Sequence, residues 1–141
     1  VIHHTEFLNE LLDKGKIITK KTNQKITYHD SCYLGRGNKI YEAPRSIINS
    51  ISKNLIEMKR NKEKGLCCGA GGAQIFKESE NGTAEINIER IKEVENSNAE
   101  TVVSACPFCL TMINDGIKGE EIDSKIQIKD IAELLEENLN D

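Results

Sequence analysis

Five cysteines are the residues of this chain with the clearest potential for chemistry. They occur as Cys32, the adjacent pair Cys67 and Cys68, and the spaced pair Cys106 and Cys109, in a chain of 141 residues. Thiolate sulfur is the natural ligand of soft metal ions and of iron–sulfur clusters. An odd number of cysteines suits a disulfide framework poorly, and clustered thiols in a reducing compartment more often bind metal or carry out redox chemistry. The cysteines therefore predict a metal or redox centre in a cytoplasmic protein.

The residues around both cysteine pairs suit such a centre. Pro107 favours the first turn of a helix, where its missing N–H has no partner to lose. Cys106 and Cys109 are then expected at a helix N-terminus, which favours anionic sulfur. Adjacent side chains normally point apart, so Cys67 and Cys68 need a tight turn to serve one site. Four glycines permit that turn and let backbone N–H groups approach a cluster: Gly65, Gly69, Gly71 and Gly72.

The elements that must position these thiols alternate between short apolar runs and helical periodicities. Strands are predicted over 26–29, 55–58, 101–105 and 126–128, with helices from Thr5, from Pro44, and over 88–94, 110–117 and 131–139. This order predicts a three-layer α/β domain with a small, mostly parallel sheet of about four strands flanked by helices. Ligands lie beyond the carboxyl ends of the strands in such sheets. Because Cys32 and Cys106 directly follow predicted strands, the cysteines are expected at those ends.

Composition limits the classes of function. A hydrophobic fraction of 38% suits one domain, residues 1–141. The net charge of −4 gives no general attraction to nucleic acid. No apolar run approaches the roughly 20 residues that a spanning helix needs, so no membrane insertion by this segment is expected. Since the chain begins at Val1 and helical sequence follows at once, we interpret it as part of a longer protein.

The cysteine pattern resembles the CCG cysteine-rich domain family. That motif is one cysteine, a spacer of thirty-odd residues, Cys-Cys-Gly, a similar spacer and Cys-x-x-Cys, and Cys32, Cys67 to Gly69, and Cys106 to Cys109 match it. The family includes the cysteine-rich component of heterodisulfide reductase and the iron–sulfur oxidoreductases that take electrons from electron-transfer flavoprotein. The surrounding sequence is similar too, and the chain looks most like the C-terminal CCG domain. The similar segments are 3–5, 28–30, 32–36, 43–45, 67–72 and 105–109.

The resemblance implies a [4Fe–4S] cluster, of the noncubane type, bound by all five thiolates and approached by Gly69, Gly71 and Gly72. It also implies electron transfer to or from a disulfide, quinone or flavoprotein partner, with ferredoxin-like or flavoprotein subunits or domains nearby. The implied location is the cytoplasm or the cytoplasmic face of a membrane. Family members usually carry two such domains and a ferredoxin-like region, so complete turnover is not expected of this chain alone. Ala73 and Gln74 stand where the family frequently has Gly-Arg.

Other interpretations of the cysteines stay open at this point. Structural zinc, in an interaction domain without redox activity, needs only four ligands. A second alternative is a redox-active dithiol at Cys106 and Cys109, which leaves the other three cysteines unexplained. A third is that the cysteines are buried apolar thiols, which are common in proteins. A phosphate-binding loop over 69–72 lacks the required lysine.

Three other side chains are candidates for roles near the thiols. His29, beside Asp30 at a strand end, is a candidate cluster ligand or proton donor, and such a histidine is often structural. Arg36 and Arg45 are candidates for offsetting cluster charge or binding an anion, or for a solvated surface.

Overall fold

The computed structural model describes residues 1–140. Within that range the chain forms five α-helices and three β-strands. They are α1 (His4–Asp13), β1 (Ile26–Tyr28), α2 (Glu42–Ile51), α3 (Ile86–Asn96), β2 (Thr101–Ser104), α4 (Pro107–Gly119), β3 (Gln127–Asp130) and α5 (Ile131–Glu137). Three short helical turns lie in the connections: a π-helical turn (Tyr33–Gly37) and two 3-10 turns (Lys62–Lys64 and Gly71–Phe76).

The three strands form one parallel sheet in the order β1-β2-β3. Ile26 of β1 pairs with Thr101 of β2, and Thr101 pairs with Gln127 of β3. Because all three strands run the same way, their carboxyl ends meet at one edge. The predicted α/β architecture with a small parallel sheet is confirmed.

The sheet has one strand fewer than the four predicted. In place of a strand over 55–58, Leu55 makes a single parallel bridge to Ile26. The Ile26 N–H donates to the Asn54 carbonyl at 3.0 Å, and its own carbonyl accepts from the Ile56 N–H at 2.8 Å. Both hydrogen bonds are made by Ile26, so the contact is a single bridge and too short to form a strand.

Neighbouring residues of the central strand show that the sheet is covered on both faces. Val102 and Val103 are both fully buried, yet they belong to different hydrophobic clusters, since successive side chains point to opposite faces. Val103 packs in the cluster that includes Ile47 of α2 and Leu134 of α5, whereas Val102 packs with Ile113 of α4. Helices therefore flank the sheet on both sides, in three layers.

The helix boundaries follow from local capping. α4 begins with Pro107 at its first turn and takes Cys106 as its N-cap, as the sequence predicted. α5 begins with a capping box: the Asp130 carboxylate accepts from the Ala132 N–H at 2.8 Å, and the Glu133 carboxylate accepts from the Asp130 N–H at 3.2 Å. Across residues 1–140, none of the helices combines the length and the apolar character needed to traverse a bilayer.

Candidate metal centre

All five cysteines line one cavity of about 240 Å³. Cys68 and Cys109 lie deepest, with 4% and 3% of their surfaces exposed. Cys32, Cys67 and Cys106 are half-buried and lie nearer the solvent. In the described part of the chain, the residues that line the cavity include no Asp, Glu, Lys or Arg, so sulfur is the dominant donor element of this site. Such a set fits a soft metal or an iron–sulfur cluster.

The parallel sheet explains how distant parts of the chain meet here. Cys32 follows β1 after three residues, and Cys106 follows β2 after one, with Cys109 in the first turn of α4. Cys67 and Cys68 lie in the loop between the two 3-10 turns. The carboxyl ends of adjacent parallel strands therefore bring two of the three cysteine groups together, and the loop brings the third.

Two glycines give the loop its shape. Gly69 and Gly72 adopt φ angles of +95° and +63°, in the left-handed region that favours glycine. The Gly69 N–H donates to the Cys67 sulfur at 3.3 Å, while Gly71 and Gly72 form part of the cavity wall. Gly69 itself lines a neighbouring surface depression. Ala73 also has a positive φ, +60°, a conformation that a residue with a Cβ adopts only at a cost.

Hydrogen bonds among the sulfurs give three of the thiols different pKa values. Hydrogen bonding with Cys109 lowers the pKa of Cys68 to about 4 and that of Cys106 to about 6. The backbone N–H groups of Cys109 and Phe108 add to the effect on the Cys106 pKa, as expected at a helix N-terminus. Those same sulfur contacts, together with burial, raise the pKa of Cys109. In the metal-free site these contacts therefore favour ionisation of Cys68 and Cys106 over ionisation of Cys109.

Alkylation of the metal-free chain tests this charge pattern at Cys106. Because the thiolate is the nucleophile, the lowered pKa means that the rate rises as pH increases through about 6 and levels off above it. Iodoacetamide labelling between pH 4 and pH 9, followed by peptide mass spectrometry, measures the profile. The same chain in denaturant is the control, with a midpoint near the ordinary thiol pKa of about 8.5. A folded-state midpoint near 8.5 would contradict the assignment.

His29 lies behind the sulfurs, not on the cavity wall. It is 1% exposed, and one of its ring nitrogens lies within 4.8 Å of the sulfurs of both Cys68 and Cys109. Its Nδ1 accepts a hydrogen bond from Nε of Arg90 at 3.0 Å. Burial lowers the pKa of His29, so the ring is neutral at pH 7. Its role as a proton donor stays a prediction.

Arg45 is buried in an ion-pair network and not in solvent. Its guanidinium donates to both carboxylate oxygens of Asp30 at 2.8 Å and to Glu57 at 2.6 and 3.0 Å. Asp30 in turn accepts from the Lys62 N–H at 2.7 Å. The network therefore ties the end of β1 to α2 and to the loop that leads to Cys67. Arg36, by contrast, is exposed.

Exposed aromatic side chains surround the mouth of the cavity. Tyr33, Phe76 and Phe108 all belong to its lining, and 83%, 81% and 53% of their surfaces are exposed. Each comes from a segment that also carries or adjoins a cysteine group. The opening therefore has an apolar rim, whereas its floor is sulfur.

Comparison with known proteins agrees with this geometry. A family model described as "Cysteine-rich domain" (CCG) matches residues 26–114, which include all five cysteines. The chain belongs to this cysteine-rich domain family. No solved structure matches the chain.

Several curated members of the cysteine-rich domain family align with nearly the whole chain. It is 43% identical, over 99% of its length, to "Probable iron-sulfur-binding oxidoreductase FadF" of Bacillus subtilis, and 41% identical, over 96%, to "EtfAB:quinone oxidoreductase" of Syntrophomonas wolfei. It is 40% identical, over 99%, to one of the subunits of "Dihydromethanophenazine:CoB--CoM heterodisulfide reductase" of Methanosarcina barkeri. The chain spans only 20%, 20% and 34% of these three relatives.

Sequence reasoning missed Arg90, a charged side chain that reaches His29. The prediction of this helix used its apolar residues alone, and most of the other residues of α3 are polar. A signal was nevertheless present: Arg90 lies three residues after Asn87 and four before Val94, on the same face as the buried Ile91. A long cationic side chain on the buried face of a helix is a marker of a buried polar contact.

Proposed function

We propose that the chain binds an iron–sulfur cluster through its five cysteines and serves as an electron-transfer domain of a larger oxidoreductase. The cluster proposed is a [4Fe–4S] cluster of the noncubane type. The ligands proposed are Cys32, Cys67, Cys68, Cys106 and Cys109. The observation that carries the proposal is that these five residues, distant in sequence, line one cavity.

The number of thiols supports a cluster over a single ion. The cavity of about 240 Å³ is lined by five cysteines and has room for a group of several atoms. A structural zinc ion takes four ligands and so leaves one of these thiols without a role. Cys68 and Cys109 would hold the buried side of the cluster, and the other three cysteines the side facing the opening. When bound, the cluster supplies one-electron chemistry, while the protein sets its access and hydrogen bonding.

The names of the relatives suggest the partners. One is called an iron–sulfur-binding oxidoreductase, another an EtfAB:quinone oxidoreductase, and a third is a component of a heterodisulfide reductase. We accordingly propose a disulfide, a quinone or a flavoprotein as the electron donor or acceptor, within a cytoplasmic protein or at the cytoplasmic face of a membrane. The aromatic rim of Tyr33, Phe76 and Phe108 supports the docking of such a partner, since aromatic residues are enriched at protein interfaces.

A separate observation supports zinc as a second candidate for the bound metal. His29, Cys68 and Cys109 place one nitrogen and two sulfurs within 4.8 Å of one another, which is a zinc-like donor set. In that case the site would stabilise the fold and carry no electrons. The two candidates differ in colour, metal content and spectroscopy.

Anaerobic reconstitution tests the proposal. The chain is incubated with iron, sulfide and a thiol reductant, desalted, and analysed for iron, acid-labile sulfide and zinc. We expect a brown protein with about four irons and four sulfides per chain, and an EPR signal in one redox state. Purified protein that stays colourless under these conditions and binds one zinc ion tightly would overturn the proposal in favour of zinc.

A further inference from the structure

A buried arginine contacts the histidine that lies behind the sulfurs. Arg90 is completely buried, and its Nε donates to Nδ1 of His29 at 3.0 Å. Its Nη1 donates to the Arg60 carbonyl at 2.8 Å and to the Glu93 carboxylate at 2.6 Å. These contacts hold the guanidinium in place, so that it fixes the Nδ1 side of the His29 ring.

The contact with Arg90 fixes the tautomer of His29. A guanidinium group has N–H donors and no acceptor. Nδ1 of His29 must therefore offer its lone pair, and in a neutral ring the proton then lies on Nε2. Since Nδ1 is taken by Arg90, Nε2 is the nitrogen that remains for Cys68 and Cys109.

This tautomer is the wrong one for a metal ligand. A histidine that binds metal through one nitrogen carries its proton on the other, and donates that proton to a carboxylate, a carbonyl or water. Here the other nitrogen faces a donor. Coordination through Nε2 would place an N–H group of His29 directly against an N–H group of Arg90, and both side chains are buried away from water.

We propose that Arg90 is a positioning residue that holds His29 as an Nε2–H hydrogen-bond donor to the Cys68 sulfur, and that His29 is not a metal ligand. This inference rests on the proposed function in one respect, that the Cys68 sulfur carries the cluster. Hydrogen bonds to cluster sulfurs stabilise the more negative, reduced state and so raise the reduction potential. The placement of the ring supports this arrangement, since one of its nitrogens lies within 4.8 Å of the Cys68 sulfur.

The tautomer can be measured without any cluster. In the metal-free, ¹⁵N-labelled chain, long-range proton–nitrogen correlation spectra distinguish a histidine protonated at Nε2 from one protonated at Nδ1. We expect His29 to be protonated at Nε2 alone in the native chain and in Arg90→Lys, which keeps a donor-only side chain, and to become a mixture of tautomers in Arg90→Gln, whose amide can accept as well as donate. A native chain protonated at Nδ1, or at both nitrogens at pH 7, would overturn the proposal even if the arginine variants do not fold.

A matched pair of variants tests the hydrogen bond in the loaded protein. The amide nitrogen of glutamine can reach the position of Nε2, whereas the shorter asparagine reaches only that of Nδ1. His29→Asn should therefore shift the oxidised-to-reduced ratio of the cluster by about tenfold. For one electron, that shift is a reduction potential about 59 mV more negative. His29→Gln should keep the native potential. Equal potentials in the native chain and His29→Asn would overturn the proposal.

Pulsed EPR provides the remaining test. In the loaded ¹⁵N-labelled chain, a coordinated imidazole gives a strong nitrogen coupling that disappears in His29→Gln, whereas a hydrogen bond gives only a weak one. A strong coupling of this kind would refute the donor role. Failure of the chain to assemble any cluster would count against the proposed function, while the tautomer of the metal-free chain would still decide the relation between Arg90 and His29.

Discussion

Replacing Cys68 with serine is expected to prevent stable assembly of the iron–sulfur cluster. Cys68 is one of the two sulfurs on the buried floor of the cavity, and its pKa of about 4 makes it a thiolate at neutral pH. A serine hydroxyl is neither soft nor ionised at that pH. Loss of an outer-shell partner alone typically costs about 10–100-fold in metal affinity, and loss of a floor ligand should cost more. Iron and sulfide content after reconstitution, with EPR, measures the effect.

A matched control for this variant lies on the neighbouring helix. Thr111 is exposed, two residues after Cys109, and its hydroxyl donates to the Pro107 carbonyl at 3.1 Å, a bond that serine can also make. Thr111→Ser should load iron and sulfide like the native chain. A Cys68→Ser protein that retains a full cluster would contradict the assignment of Cys68 as a ligand, whereas one that loses iron but still binds zinc would show that the two metals use different donors.

Replacing Arg45 with leucine is expected to lower the free energy of unfolding by about 3–5 kcal/mol. The Arg45 and Asp30 side chains are 5% and 3% exposed, so the substitution leaves a buried carboxylate without its counter-charge. The cation–π contact of Arg45 over the Tyr28 ring, at 5.3 Å, is lost as well. Urea denaturation at pH 7 measures the change.

Two further variants separate charge burial from lost packing. In Arg45→Leu with Asp30→Asn, the amide can still accept from the Lys62 N–H, but no unpaired charge is buried, so the double variant should be more stable than Arg45→Leu alone. Lys14→Ala, which removes an exposed ion pair with Glu10, should cost about 0.5 kcal/mol or less. A double variant less stable than Arg45→Leu would show that the carboxylate charge is not the source of the cost.

The repeating patterns in the sequence predicted most of the fold. Ile47, Ile48 and Ile51 share one face of α2, and the fully buried central strand contains the β-branched residues 101–103. Such periodicities report local structure and burial, and they were enough to place two of the three cysteine groups at the ends of parallel strands. They overestimated the sheet because an apolar run at 55–58 indicates burial but does not show how many residues find a partner strand.

Local sequence patterns could not predict the polar contacts around the site. Arg90 and His29 are 61 residues apart, and Arg45 and Asp30 are 15 apart, so neither contact produces a periodicity. Charged residues are also usually exposed, so the prediction for any single arginine is that it lies on the solvated surface. What distinguishes these two is the partner that each one meets after folding, and only the tertiary structure supplies it.

The parallel crossover that gathers the sulfurs also dictates an order of assembly. Parallel strands cannot be joined by a tight hairpin, and here 72 residues, from 29 to 100, separate the end of β1 from the start of β2. Contacts between segments so far apart form late and slowly. A nascent chain that ends with β2 carries three of the five thiols and lacks both Cys106 and the helix N-terminus that lowers its pKa. Under the proposed function, the full set of sulfur ligands therefore exists only after the chain has been made as far as Cys109 and β2 has paired with β1.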